Sequence, residues 1–464
     1  MPRLQIPLPT SFYKTLGLNV SAQELVNLYR INSQESQKVS SYLIGTSGLE
    51  DFADLDNNEP VWGMKAFGGL LYVSCGNSVY SVNAAGTKNL IGNIGSVNAN
   101  VEWDTNGINL VVLKPTGDAW EVTSSNVTQI TDVDYLPSSS ISQSYGYFIF
   151  SIKDSNEWQI SDQDSIAFSG FIAQADASPD LIVRTIQNSG ETWIYGTETI
   201  EVWAYNANID FPYQRSTVIN RGCAAKNSVI SEDDKMYWLG DDKKIYVSVG
   251  YQYTPLSTEP IEQLIAGFNT ISDAIFWVYT DGGQKFLTCQ FPSENITLEC
   301  NLTLGEWHKR TSGFNGDRWK ANCFENTFGF NLVGDYQTGK IYKIVFDSTS
   351  ESGENIYRSF TTPYFFDLDN PFSFDRIELD IEAGLGNTNN PGKNPQVYLS
   401  WSDDYGHTFS NQYPASVGGQ GNYRYKAMWI GKGTARKRCL KFIINDPIKV
   451  RISTIFANVQ KLQA

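Results

Sequence analysis

A strand–turn–strand unit recurs along this chain, and each copy closes on an aromatic residue: Tyr80, Trp120, Trp158, Trp203, Tyr246, Trp307 and Tyr342. The steps between these anchors are 40, 38, 45, 43, 61 and 35 residues. A period of about 40–45 residues, with room for four short strands per unit, predicts a β-propeller. Seven anchors predict seven blades, or six if one unit is an insertion. Such rings are stiff scaffolds, and the fold alone assigns no chemistry.

The local pattern agrees with the period. Residues 68–82, 145–156 and 235–247 alternate apolar and polar positions and turn through Gly, Asp or Asn, as hairpins require. Charged residues make up only 18% of the chain and aromatics 13%, against about 25% charged in ordinary soluble proteins, so there is ample apolar surface to bury in sheets. The propeller is assigned to residues 61–358, with one helix expected at 260–271. Residues 1–60 read differently. Pro7 and Pro9 favour an extended start, and Ser21 with Glu24 forms a capping-box pattern that predicts a short helix toward Leu25 and Leu28. This segment has no core of its own and reads as an N-terminal arm laid on another surface. Past the joint near residues 360–374, residues 376–382 alternate strictly, and 396–401 and 441–444 follow as further strands. Residues 359–464 are therefore expected to form a small β-sandwich or jelly roll.

Composition excludes several functions. The net charge is −15, which disfavours a protein that grips nucleic acid by neutralising phosphates. Cys75, Cys223, Cys289, Cys300, Cys323 and Cys439 form no CxxC pair and no zinc spacing; Cys289 and Cys300 alone suit a cross-hairpin disulfide. The first nine residues lack the apolar run of a secretory signal, and no stretch approaches 18 apolar residues, so synthesis in a cytoplasm without a membrane span is expected. Only His308 and His407 are available for His-based catalysis, and neither lies near a nucleophile motif. Residues 54–59 begin like a calcium loop but lack its sixth-position Gly and have Lys65 in place of the closing Glu. No catalytic residue, cofactor or metal ligand is assigned.

Two features remain. Ser402, Asp404, Gly406, Thr408 and Phe409 match the Asp-box pattern, a tight turn in which Asp accepts backbone N–H groups, Gly supplies positive φ and the aromatic packs beneath. The motif is specific for a hairpin, not for a reaction. Around it, residues 405–445 contain no acid but carry Arg424, Lys426, Lys432, Arg436, Lys437, Arg438 and Lys441. These are candidate interface cations for an acidic face on a neighbour, or a strand edge guarded by charge.

An ordered set of short segments resembles the packaged-DNA stabilisation, or tail-hub (nozzle), proteins of short-tailed bacteriophages. The segments are VNLY at 26–29, GTSGL at 45–49, RGCA at 221–224, YWLG at 237–240, STEPIE at 257–262, WHKR at 307–310, VGD at 333–335 and GKIY at 339–342. One departure is Ser47, where the family favours Pro. The resemblance implies a virion protein without enzymatic activity. Six copies would ring the DNA channel below the portal and its adaptor, retain packaged DNA, and seat a tail needle or plug and the tailspikes. DNA would pass without sequence-specific binding, and the N-terminal arm would dock onto the adaptor. Two alternatives stand beside it: a propeller that binds a host receptor or glycan, and a glycan-degrading enzyme.

Overall fold

The computed structural model describes residues 3–15, 17, 18, 20–33, 39–366 and 370–462. Among them the only α-helix is Glu259–Ala266, shorter than the periodicity suggested because Gly267 ends it. Everything else of length is strand.

Seven four-stranded blades stand around one axis, five as separate sheets and two as parts of larger ones. Their inner strands, in chain order, are Val61–Phe67, Glu102–Thr105, Ser138–Ser144, Ile182–Asn188, Ile230–Glu232, Ile275–Asp281 and Ala321–Thr327, and the last packs against the first. Each blade is an antiparallel meander. Its second strand is covered on both faces by neighbouring blades, which is why Leu110–Leu113 is apolar throughout and buried at all four positions. Every Leu or Val so covered contributes about 1.5–3 kcal/mol relative to leaving it in water. The outer strands are wetter, as in Lys88–Asn93. Tight hairpins join the strands. At Gly68-Gly69 both φ angles are positive (56° and 79°), and at Tyr145-Gly146 they are 51° and 86°, so the turns twist with the strands.

Six of the seven aromatic anchors lie on the third strand of their blade. Trp307 lies on the fourth strand of the sixth blade, Glu306–Lys309, and the helix is inserted just before that blade. Both displacements explain the irregular steps of 61 and 35 residues.

The first 60 residues are not a free arm, and the expected helix does not form. Ala22–Val26 is a strand, and Leu25 and Leu28, one before and one after the bend at Asn27, both enter the sandwich core, so their spacing reflects the bend and not a helical turn. This strand pairs antiparallel with Arg358–Thr361 and touches Glu306–Lys309 in parallel through Val26 and Lys309. Further on, Gly48–Asp54 pairs with Lys340–Val345 and supplies the outer strand of the seventh blade. The ring is therefore closed by a strand that precedes it in sequence.

The C-terminal body is a sandwich. One sheet runs Leu28–Asn32, Ser41–Gly45, Arg451–Lys461, Phe372–Ile381, Ala427–Ile430; the other runs Ala22–Val26, Arg358–Thr361, Lys437–Ile444, Gln396–Ser402, Tyr413–Ser416. Phe360, Phe442, Leu399, Ile377, Leu379 and Ile455 meet between them, all essentially inaccessible. Because Ala22–Val26 belongs to both, one hydrogen-bonded sheet runs from the sixth blade into the sandwich. The six thiols are free and buried. Cys289 and Cys300 lie on adjacent strands two residues out of register, opposite Leu298 and Leu287, and form no disulfide.

Candidate functional site

The axis of the propeller holds a cavity of about 430 Å³ lined by the inner strands. Trp62, Trp103 and Trp277 reach it from the first, second and sixth blades, together with Lys65, Arg184 and Glu325. The indole N–H groups of all three tryptophans and Nε of Arg184 have no hydrogen-bond partner among the described residues. Charge crosses the axis as well. Glu102 of the second blade pairs with Lys226, between the fourth and fifth blades, at 2.9 Å and with Arg184 of the fourth blade at 3.9 Å. Burial alone would raise Glu102, but these two cations hold its carboxyl below the usual range. Burial raises Glu325, which accepts a hydrogen bond from the backbone N–H of Ala66 at 3.0 Å. The axis is thus bridged by an ion cluster, not an open bore.

A second polar cluster lies where the sixth blade meets the sandwich. Glu299 is fully buried and accepts hydrogen bonds from the Tyr279 hydroxyl (2.8 Å), the Thr288 hydroxyl (3.0 Å) and Arg310 Nη1 (3.3 Å); His308 Nε2 lies 2.8 Å away. Arg310 also donates to the carbonyl of Ser47 at 2.8 Å and stacks on Trp319 at 3.9 Å. Burial opposes ionisation of Glu299, yet Arg310 and His308 win and bring its pKa to about 2. His308, the more suggestive of the two histidines in the sequence, is held in this closed network at 1% exposure. Strand alternation did not reveal it. The available signal was a carboxylate between Leu298 and Cys300 in a strand with no wet face, which demands a buried cation.

On the sandwich, Asp404 is the hub of its hairpin. It accepts the backbone N–H of Thr408 (2.9 Å), the Thr408 hydroxyl (2.6 Å) and the Ser402 hydroxyl (2.7 Å), while Gly406 N–H donates to Ser402 Oγ at 2.7 Å. These bonds bring the Asp404 pKa to about 2. Positive φ at Tyr405 (62°) and Gly406 (78°) completes the turn. Phe409 does not pack beneath it. Its ring is 38% exposed, and Lys441 Nζ stands 5.5 Å from its centroid. His407 lies in the same turn, exposed.

The cations of this region do different things. Arg438 is buried and clamps Asp403 with two bonds of 2.6 and 2.7 Å. Arg438 and Lys432 both stand over Trp401, at 5.2 and 5.8 Å, and Lys432 is 3.9 Å from the ring of Tyr413. Lys437 covers Tyr405 at 5.0 Å. These three cations, and Lys441 as a fourth, are spent on the aromatics and carboxylate of the hairpin itself. Arg436 is exposed on the adjoining strand edge. Arg424 and Lys426 project from an exposed turn with Tyr423 (73% exposed) and Tyr425 (48%), and Ile430 nearby in sequence is 72% exposed.

Two family models match the chain in series: "Bacteriophage P22 Gp10, beta-propeller" over residues 4–349 and "Bacteriophage P22 Gp10, beta-sandwich" over residues 357–460. The chain belongs to the phage P22 Gp10 family. It is accordingly a phage tail protein of the packaged-DNA stabilisation, tail-hub type, a structural family, and its propeller and sandwich are the two Gp10 domains. No curated protein matches the chain. Among solved structures it is similar to the computationally designed Ika8 protein (9% identity, 64% of this chain and 99% of that one, TM-score 0.42). It is also similar to the Neurospora crassa Pan2 WD40 domain (10% identity, 65% and 97%, TM-score 0.44) and to PorZ of Porphyromonas gingivalis (10% identity, 66% and 38%, TM-score 0.38). None of these three likenesses informs function.

For a Gp10-family protein the distribution of acid matters. Residues 102–174, the second and third blades, carry ten acids and two lysines. In a seven-membered ring the third blade lies opposite the sixth and seventh, which hold the sandwich. The molecule is therefore acidic at the end away from the sandwich.

Proposed function

We propose that this chain forms a ring, six copies in all, below the portal and its adaptor, where it extends the DNA channel, retains the packaged genome and seats a tail needle or plug and the tailspikes. The observation that carries this reading is the serial match of both Gp10 domains over nearly the whole chain. Three features of the molecule support it. The axis of each propeller is crossed by Glu102, Arg184 and Lys226, so the DNA path runs between subunits and not through a subunit. The acidic second and third blades suit a surface past which DNA slides without being trapped, since phosphates and carboxylates repel. At the other end, Arg424 and Lys426 are the cations free of the hairpin and open to a neighbouring subunit, a heterologous contact of the kind that closes rings.

The test uses particles that lack this protein. Capsids that fill and then lose DNA to nuclease support a hub that holds the genome in. Particles that stay full and merely fail to adsorb to the host overturn it in favour of a receptor or glycan binder. That second reading has its own supporting observation, the axial cavity with three unpartnered indole donors.

A further inference from the structure

Arg358 opens the strand Arg358–Thr361 at the seam between the seventh blade and the sandwich, and only 2% of it is exposed. Its Nε and Nη1 are buried and donate to nothing among the described residues. Among the described residues no carboxylate lies within ion-pairing distance of it. Leaving a buried guanidinium so poorly satisfied is costly: desolvation lowers its pKa to about 10, Glu351 opposes that fall from a distance, and Arg310 adds to it.

The guanidinium faces a small cavity of about 20 Å³. The walls come from both bodies: Ile44, Gly45 and Thr46 with Val450 on the sandwich side, and residues 346–349 on the propeller side. Two more cations line it, Lys449 and Arg451. Two carboxylates temper them: Asp347 lies in the wall and pairs with Lys449 at 2.6 Å, and Glu382 pairs with Arg451 at 2.9 Å. Gly45 belongs to the same arrangement, since a Cβ there would come within 2.8 Å of Arg358 Nε. Any side chain at this position would collide with Arg358.

We propose that this cavity is a halide site, holding one chloride-sized anion between the propeller and the sandwich. The space beside the guanidinium is small, about 20 Å³, which suits a single small ion. The two free donors of Arg358 supply its hydrogen bonds, and the surrounding cations supply the field. Because the walls belong to two bodies, the ion fastens the seam and binds the folded state alone, so folded stability depends on its concentration.

The experiment uses the full-length chain at constant ionic strength, exchanging sodium gluconate for sodium chloride and then for sodium bromide. The unfolding midpoint should rise with chloride and saturate, rise likewise with bromide, and stay level in sulfate. In parallel, the ³⁵Cl resonance should broaden in proportion to protein and narrow when bromide competes. R358M should abolish both effects. Should that variant fail to fold, K449M removes a charge from the rim, and it should weaken chloride about fivefold, the worth of one charge a few ångströms away in high dielectric. A midpoint indifferent to which anion is present, with no excess broadening, means that the cavity holds only water and overturns the proposal.

Discussion

Glu299→Gln tests whether the buried cluster at the junction is a net support of the fold. The wild-type carboxylate is held at a pKa of about 2 against an ordinary value of 4.5. A depressed carboxyl stabilises the native state fully above its unfolded pKa, and that support is lost as pH falls from about 5 through about 2. The shift corresponds to about 3 kcal/mol at pH 7, which agrees with the roughly 3–5 kcal/mol expected when one partner of a buried pair is removed. Urea unfolding followed by tryptophan emission, which includes Trp319 stacked on Arg310, supplies the measurement. We expect the variant to be less stable by about 3 kcal/mol at pH 7, with the gap narrowing to about 1 kcal/mol at pH 2.5. The double variant E299Q/R310M should recover part of the loss, because it no longer leaves a cation buried alone. A gap under about 1 kcal/mol at pH 7, or one that does not change with pH, would show that desolvation cancels the pairing and that the cluster adds nothing.

Deleting residues 1–54 should prevent the propeller from closing and leave insoluble protein, whereas deleting 1–10 removes one edge strand and leaves a cooperative, folded chain; solubility and near-ultraviolet circular dichroism distinguish them. Gly222→Ala places a Cβ 1.9 Å from the carbonyl of Thr197 and should destabilise by about 1–3 kcal/mol, read from the shift in the denaturant midpoint. Asp404→Ala removes the acceptor of the Thr408 and Ser402 bonds and should speed amide exchange within residues 402–410 while the blades remain protected. Reversing Arg424 and Lys426 to Glu should alter stability by less than about 0.5 kcal/mol yet reduce ring formation, measured by sedimentation velocity; unchanged assembly would remove these residues from the interface.

What the sequence disclosed followed from periodicity. Aromatic spacing identifies the ring, and strict alternation at 376–382 identifies a sandwich strand, because both are repeated local constraints. The roles of residues 1–60 were hidden, since Gly48–Asp54 finds its partner about 290 residues away and nothing local marks that choice. Ser21 and Glu24 carry a helix signature that the sheet overrides: Glu24 instead meets Lys309 at 3.1 Å. The run of cations read as one surface because sequence does not show that Arg438 turns inward to Asp403 while Arg424 turns out. The axial cluster was hidden for the same reason, since it assembles Glu102, Arg184 and Lys226 from separate blades.

The strand shared by blade and sandwich has a mechanical consequence. Ala22–Val26 bridges the junction, pairing along Arg358–Thr361 on one side and with Lys309 through Val26 on the other. Load applied to the sandwich reaches the sixth blade through the Val26–Lys309 pair, and the seventh is tied in by Gly48–Asp54 a short span later in the chain. One stretch of polypeptide thus acts as both latch and tie-rod. The molecule should transmit thrust as a single beam, and when it yields it should yield all at once.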